Sequence, residues 1–387
     1  MPLARPPQPD ANARTVANGL RGRILAGDWQ PGAQLPTWST LETDFNVART
    51  TLAKAVRQLK RDGFVYSRST RGMYVSDHPP HLCRYALAFR HHPQEPGWLR
   101  FWWALANQAT AWNAQAGNPE DTTTSTTPPV NPNHSRIVPF FGVSGPEDSE
   151  NHRKLLKEVE ADRLAGIIFV GHPPEISPRL LEHPWLAKVA ITTSPAAHHL
   201  PRVFPDRQSF VDRSLQHLAE QHAQRVAVLT NGHPGFDAYD QAITKAGLQS
   251  RPHFRVAASL SDPNSAKHIV QLLLDRPADQ RPDALIITDD NLVESALAGV
   301  LASGCSMPDD LQVVAHCNWP IDTRTRLPIT RLGFDAAAVL RAAMQRVEAL
   351  RHEQAVPDAT PVPAVFEDQA SAPLVADADS AFIEDPF

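Results

Sequence analysis

Arg49, Thr50 and Thr51 stand together where the sequence pattern opens a helix, and these side chains suit one kind of chemistry. Free amides and partial positive charge at a helix N-terminus favour phosphate. A guanidinium can bond guanine bidentately, and threonine can donate to phosphate or lay its methyl on thymine. Arg68 and Arg71 flank the tip of a short polar stretch, Ser67 to Gly72, where basic side chains can enter a minor groove and glycine permits close backbone approach. Asp206 and Asp290 each follow an apolar strand-like run. There a carboxylate either accepts from ligand hydroxyls or caps the next helix, and the pattern leaves both roles open.

Other chemistry finds no footing. GxSxG, P-loop, GxGxxG and HExxH motifs are absent, and so is a convincing pyridoxal-lysine segment, so no catalytic residue and no cofactor is expected. The seventeen histidines include the adjacent pairs His91-His92 and His198-His199, which read as polar loop residues and not metal ligands. Cys83, Cys305 and Cys317 are odd in number and far apart, which fits neither a disulfide framework nor a zinc site and suits a reducing cytoplasm. No apolar run is long enough to span a membrane, and the opening MPLARPPQPDANAR lacks the apolar core of a signal peptide.

The elements that position the basic groups form a small domain at residues 14–77. Val16, Leu20 and Ile24 recur at helical spacing up to Gly27. A second helix carrying Leu41 and Phe45 is capped by Thr37 or Ser39, and Asn46-Val47 makes the turn. The third helix, from about Ala48, turns Leu52, Val56 and Leu59 inward and stops at Asp62-Gly63. Phe64–Tyr66 and Met73–Val75 read as a two-stranded hairpin. Residues 1–80 hold eleven Lys and Arg against six Asp and Glu, about +5, while the whole chain carries −5. The basic end is therefore the part expected to meet a polyanion.

Residues 78–84, with paired prolines, read as a stiff linker. From residue 85 to 367 strand-like runs (Tyr85–Phe89, Ile137–Val143, Gly166–Val170, Lys188–Thr192, Arg225–Leu229, Ala284–Thr288, Gln312–Ala315) alternate with helical stretches, the rhythm of parallel α/β layers. Trp102, Leu105, Ala109 and Trp112 share a helical face and read as core. Asn118–Asn133 is a low-complexity insertion expected to be a mobile loop. A disordered leader over 1–13 and an acidic, disordered tail over 368–387 complete the expected layout.

Residues 16–75 resemble the winged helix-turn-helix of GntR regulators. The matching stretches are Ile24-Leu25-Ala26-Gly27-Asp28-Trp29, Pro31-Gly32 with Leu35-Pro36, Val47-Ala48-Arg49-Thr50-Thr51, Lys54-Ala55-Val56 with Leu59, and Asp62-Gly63-Phe64-Val65. The resemblance implies a third helix in the major groove and a wing in the minor groove. Thr37, Ser39, Arg49, Thr50, Thr51, Lys54, Arg68, Arg71 and Gly72 would then contact DNA. Ser39 stands where the family usually has Arg, Ala53 where it has a basic residue, and Thr70 where it has the first wing glycine, so the family's operator does not transfer.

Residues 85–367 resemble, more weakly, the effector domain of LacI/GalR regulators, through Leu164–Phe169, Val203–Asp206, Pro282–Asp290 and Met307–Val314. That implies two Rossmann-like lobes of the periplasmic-binding-protein kind with a sugar-like ligand between them. A GntR head on such a body resembles arabinose-type repressors. Trp98 lies where the family places a stacking aromatic, with Asp206, Asp290 and Asn318 as polar candidates. Gly235 stands where an Arg is usual, and Cys317, followed by Asn318, where an Asp is usual. The implied function is a cytoplasmic bacterial homodimer that binds operator DNA, acts as a repressor and answers to a small effector. The alternative is a regulator whose large domain serves only dimerisation or a protein partner.

Overall fold

The computed structural model describes residues 12–68, 72–95, 98–115, 135–143, 149–171, 178–183, 186–194, 200–231, 236–321 and 325–371. Arg71, the 118–133 insertion, Gly235 and most of the leader and tail assigned from sequence lie outside them.

The head is three helices and a hairpin: α1 (Ala13–Leu25), α2 (Trp38–Phe45), α3 (Arg49–Arg61), β1 (Val65–Ser67) and β2 (Met73–Val75). Asn12 caps α1 by accepting from the Thr15 amide, and Thr37, not Ser39, caps α2 by accepting from the Thr40 amide. Asn46 takes the left-handed conformation that ends α2, and Gly63, at φ 82°, turns the chain after α3. Val16, Leu20, Ile24, Leu41, Leu52, Val56 and Leu59 close one core with Phe64 and Val75.

The expected linker is folded. Pro79 and Pro80 open a single helical turn, α4 (Pro80–Cys83), because proline is pre-organised for a helix's first position. Pro80 and Cys83 are buried, and the His81 ring stacks on Phe64 of the head with centroids 5.6 Å apart. Burial, helped by Arg351, lowers the His81 pKa to about 4. The segment is thus a packed helical turn, not the stiff extended linker that the paired prolines suggested.

The first lobe begins with β3 (Arg84–Phe89), α5 (Arg100–Gln115), β4 (Arg136–Phe140), α6 (Glu150–Glu160), β5 (Gly166–Val170), α7 (Pro178–Leu181), β6 (Ala187–Ile191) and β7 (Arg202–Asp206). The chain crosses to the second lobe through α8 (Arg207–Glu220), β8 (Val226–Thr230), α9 (Phe236–Lys245), β9 (Arg255–Ala257), α10 (Ser265–Leu274), β10 (Ala284–Ile287), α11 (Val293–Ser303), β11 (Gln312–Trp319) and β12 (Thr330–Asp335). It returns for α12 (Ala336–Arg351) and β13 (Ala359–Pro363), then crosses once more to β14 (Val365–Phe366). The lobe sheets run β13-β7-β6-β5-β3-β4 and β14-β12-β11-β10-β8-β9. Every pairing is parallel except the antiparallel β14. All five residues of β5 and of β8 are buried, as expected of central parallel strands with both faces covered. Residues 367–371 are also packed: Gln369 accepts from Arg213, and the Ser371 amide donates to Asp335. The body therefore reaches past the residue 367 assigned from sequence. Among the described residues no helix is long and apolar enough to cross a membrane.

Charge ties head to body. Asp62, at the end of α3, receives Arg21 Nη2 at 3.2 Å from α1 and Arg163 Nη1 at 2.9 Å from the first lobe. Arg163 also holds Glu158 of α6 at 2.8 Å, and Glu158 pairs with Arg84 of β3. The Arg21 and Asp62 side chains are each only 4% exposed. The third helix is fixed to the lobe by its C-terminal end, which leaves its N-terminal end outward.

Candidate functional site: recognition helix and interlobe cleft

No side chain caps α3, whose N-cap is Ala48, so neither Thr50 nor Thr51 serves as the cap. Arg49, Thr50 and Lys54 are exposed on one side of the helix, while Leu52, Ala55, Val56 and Leu59 face the core. The Arg49 side chain is 69% exposed and rests over the Trp38 ring at 5.3 Å, with Glu42 Oε1 3.9 Å away. Trp38 thereby holds an arginine at the helix entrance without spending its hydrogen-bond donors on protein. At the wing, the Arg68 guanidinium lies over Tyr66 and Tyr74 at 5.4 and 5.2 Å, and its backbone amide donates to the Gly72 carbonyl. Gly72 has φ 108°, and a Cβ there would meet the Gln34 side chain, so the tight turn needs glycine. Thr37 and Ser39, 3.0 Å apart through their hydroxyls, sit exposed at the entrance of α2.

Between the lobes lies a cleft of about 480 Å³. The C-terminal ends of β5, β6, β8, β10 and β11 converge on it, as open α/β sheets arrange their ligand sites. Thr192, Thr230, Thr288, Asp289, Asp290, His316 and Asn318 supply polar walls, and Phe101, Trp102, Phe210, Tyr239 and Phe334 supply apolar ones.

Asp290 and Asn318 do come together: Asn318 Nδ2 donates to Asp290 Oδ2 at 2.8 Å, and both residues are buried. His316 Nδ1 stands 3.9 Å from Asp290 Oδ1. Burial raises the Asp290 carboxyl pKa against the pull of His316, and burial lowers that of His316. Both shifts favour an uncharged pair with the proton on the carboxyl. Asp289 accepts from the Asn291 backbone amide and from the side-chain amides of Asn291 and Asn231. Strand alternation explains the loss at Cys317: His316 and Asn318 point to the cleft, while Cys317, absent from its walls, is buried between them.

Two candidates are displaced. Trp98 is 4% exposed and packs in the first-lobe core against Phe89, Trp102, Trp103 and Phe141, with ring centroids 5.2–5.8 Å apart. Trp102, read from its spacing as core, packs against that core and also lines the cleft, where it stacks on His91 at 5.6 Å. Helical periodicity separates inside from outside, and it cannot separate a lobe's core from a wall between lobes. Asp206 caps α8 by accepting from the Gln208 and Ser209 amides and is not a wall of the cleft. Sequence reasoning missed Arg207, Thr230, Asp289 and His316. Thr230 and Asp289 stand at or just beyond strand ends, the one signal that could have found them. Across the lobes, Arg100 Nη2 meets Glu294 Oε1 at 3.3 Å. Among the described residues no group of three His, Cys, Asp or Glu could hold a metal.

A three-helix head with an outward third helix and a wing is fixed to a two-lobed α/β body with a cleft, and a family profile matches each of these two parts. Residues 12–75 match the profile of the bacterial regulatory proteins of the gntR family, and residues 215–367 match that of the periplasmic binding protein-like domain. The chain combines a GntR-type head with a periplasmic-binding-protein-like body. The head is similar to the mannosyl-D-glycerate transport/metabolism system repressor of Escherichia coli, 39% identical over 64 residues, which are 16% of this chain and 27% of the relative. The body is similar to catabolite control protein A of Priestia megaterium, 22% identical over 192 residues, 48% of this chain and 56% of the relative. The chain thus spans less than two thirds of either curated relative. A LacI-type transcription regulator from Bifidobacterium animalis subsp. lactis shares the fold, with a TM-score of 0.50 at 15% identity over 73% of this chain and 97% of that one.

Proposed function

We propose that this protein is a transcriptional regulator of the repressor type, whose head binds operator DNA as part of a homodimer and whose cleft takes a polyhydroxylated effector. The single observation that carries the reading is geometric. The ion pairs through Asp62 fix the C-terminal end of α3 to the first lobe and leave Arg49, Thr50 and Lys54 exposed. A change in lobe closure would then move the recognition helices of a dimer relative to each other. The polar, aromatic-walled cleft favours an effector role over a body that only dimerises. The names of the relatives, a repressor and a catabolite control protein, agree with it.

The basic head on an acidic body sets a test. Phosphate neutralisation releases counterions, so affinity for duplex DNA should fall about a thousandfold or more between roughly 50 and 200 mM salt. Fluorescence anisotropy over that range checks it. A salt-independent affinity, or equal binding by a chain beginning at Tyr85, would remove the head from the account.

A further inference from the structure

The cleft's charges are unevenly spent. Asp289 accepts three hydrogen bonds from protein, at 2.7–2.9 Å, and Asp290 accepts from Asn318 and Asn291. Arg207 is different. It opens α8 and lines the cleft, and it makes no hydrogen bond or ion pair to any described residue. Its neighbours Phe210 and Tyr239 are aromatic, and among the described residues no other Lys or Arg lines the cleft. Its field reaches inward, because it works against protonation of both Tyr239 and His316. Thr230, at the end of β8, adds a second uncommitted group: it lines the same cleft at 6% exposure, and its hydroxyl has no partner among the described residues. A buried hydroxyl left unpaired costs free energy that a bound acceptor would recover.

We infer that the effector carries an anionic group, a carboxylate or a phosphate on a polyol, seated on the Arg207 guanidinium with Thr230 donating to the same ligand. A planar guanidinium matches either oxyanion through paired N–H donors, and the exposed Arg207 side chain leaves those donors accessible to a ligand. The Asp290–Asn318 side of the cleft is left for hydroxyls. The inference rests on reading the cleft as the effector site, and the two can fail separately.

The test uses the full chain in thermal-shift and calorimetric titrations at constant ionic strength. The probes are inorganic phosphate, D-glucose, D-gluconate and D-glucose 6-phosphate, followed by neutral and acidic members of a wider sugar panel. An anionic probe should raise the melting temperature. Arg207→Gln should weaken that probe at least tenfold while leaving the unliganded melting temperature unchanged, and the surface control Arg276→Gln should bind like wild type. Comparing gluconate with the phosphates separates carboxylate from phosphate. Neutral sugars that bind wild type and Arg207→Gln equally, with no response to anions, would overturn the inference and leave the cleft an effector site. No response to any probe would overturn both.

Discussion

Replacing Asp62 by alanine is expected to cost about 3–5 kcal/mol, the largest loss foreseen for any single side chain of the head, because it leaves a buried charge without its partner. Arg21 is 4% exposed, and Asp62 is its ion-pair partner. Arg21 also lies over the Phe64 ring at 5.4 Å and donates to Asn18 Oδ1 at 3.1 Å, and neither supplies a counter-charge. Urea unfolding of the full chain followed by tryptophan fluorescence, which sees Trp29 and Trp38 of the head, should show an early transition in Asp62→Ala. Arg163→Ala should cost less, since it keeps the Arg21–Asp62 pair whole and Arg163 is 23% exposed. A change below about 1 kcal/mol in Asp62→Ala, the range of an exposed surface pair, would show that the pair is not buried as described.

Arg49→Ala should weaken binding to a selected operator by roughly 5–150-fold, the equivalent of about 1–3 kcal/mol for one bidentate base contact. Its melting temperature should barely move, because the side chain is 69% exposed and its protein contacts are the Trp38 face and a long approach to Glu42. Base preference should relax at one position of each half-site while non-specific affinity holds. Gel-shift titration at fixed salt against the operator and single-base variants of it reads both. Unchanged affinity and unchanged preference would place base reading elsewhere in the head.

Local signals made the head legible. Apolar spacing in α1 and α3, the threonine before α2 and the glycine after α3 all act within a few residues, and the structure follows them nearly residue by residue. In the body, the buried strands β5 and β10 were visible as apolar runs. Strand β7 was read only as a run ending at Asp206, and β12 was missed, because they carry Arg, Pro, Thr and Asp among their apolar residues. Helix α12 went unread, although Asp335 caps it and Val339, Leu340, Ala343, Met344 and Val347 form its buried face, because its many alanines mute the pattern. What no local pattern carries is pairing over distance. Arg163 meets Asp62 across 101 residues, and the choice of Trp102 over Trp98 as a cleft wall depends on how α5 sits on its sheet. The cleft's polar set was half legible: Asp290 from its strand end and Asn318 from the family resemblance, Arg207 and His316 only once the lobes face each other.

The central claim is that a ligand in the cleft changes how the head holds DNA. It is tested most directly by measuring the dissociation constant for a selected operator with and without a saturating cleft ligand identified by thermal shift. Coupling between two sites typically amounts to about 1–3 kcal/mol, so the ligand should change operator affinity by roughly 5–150-fold, and operator should change ligand affinity by the same factor. Asp290→Ala should abolish both effects while leaving ligand-free DNA binding intact. An operator affinity that is identical at zero and saturating ligand would contradict the account.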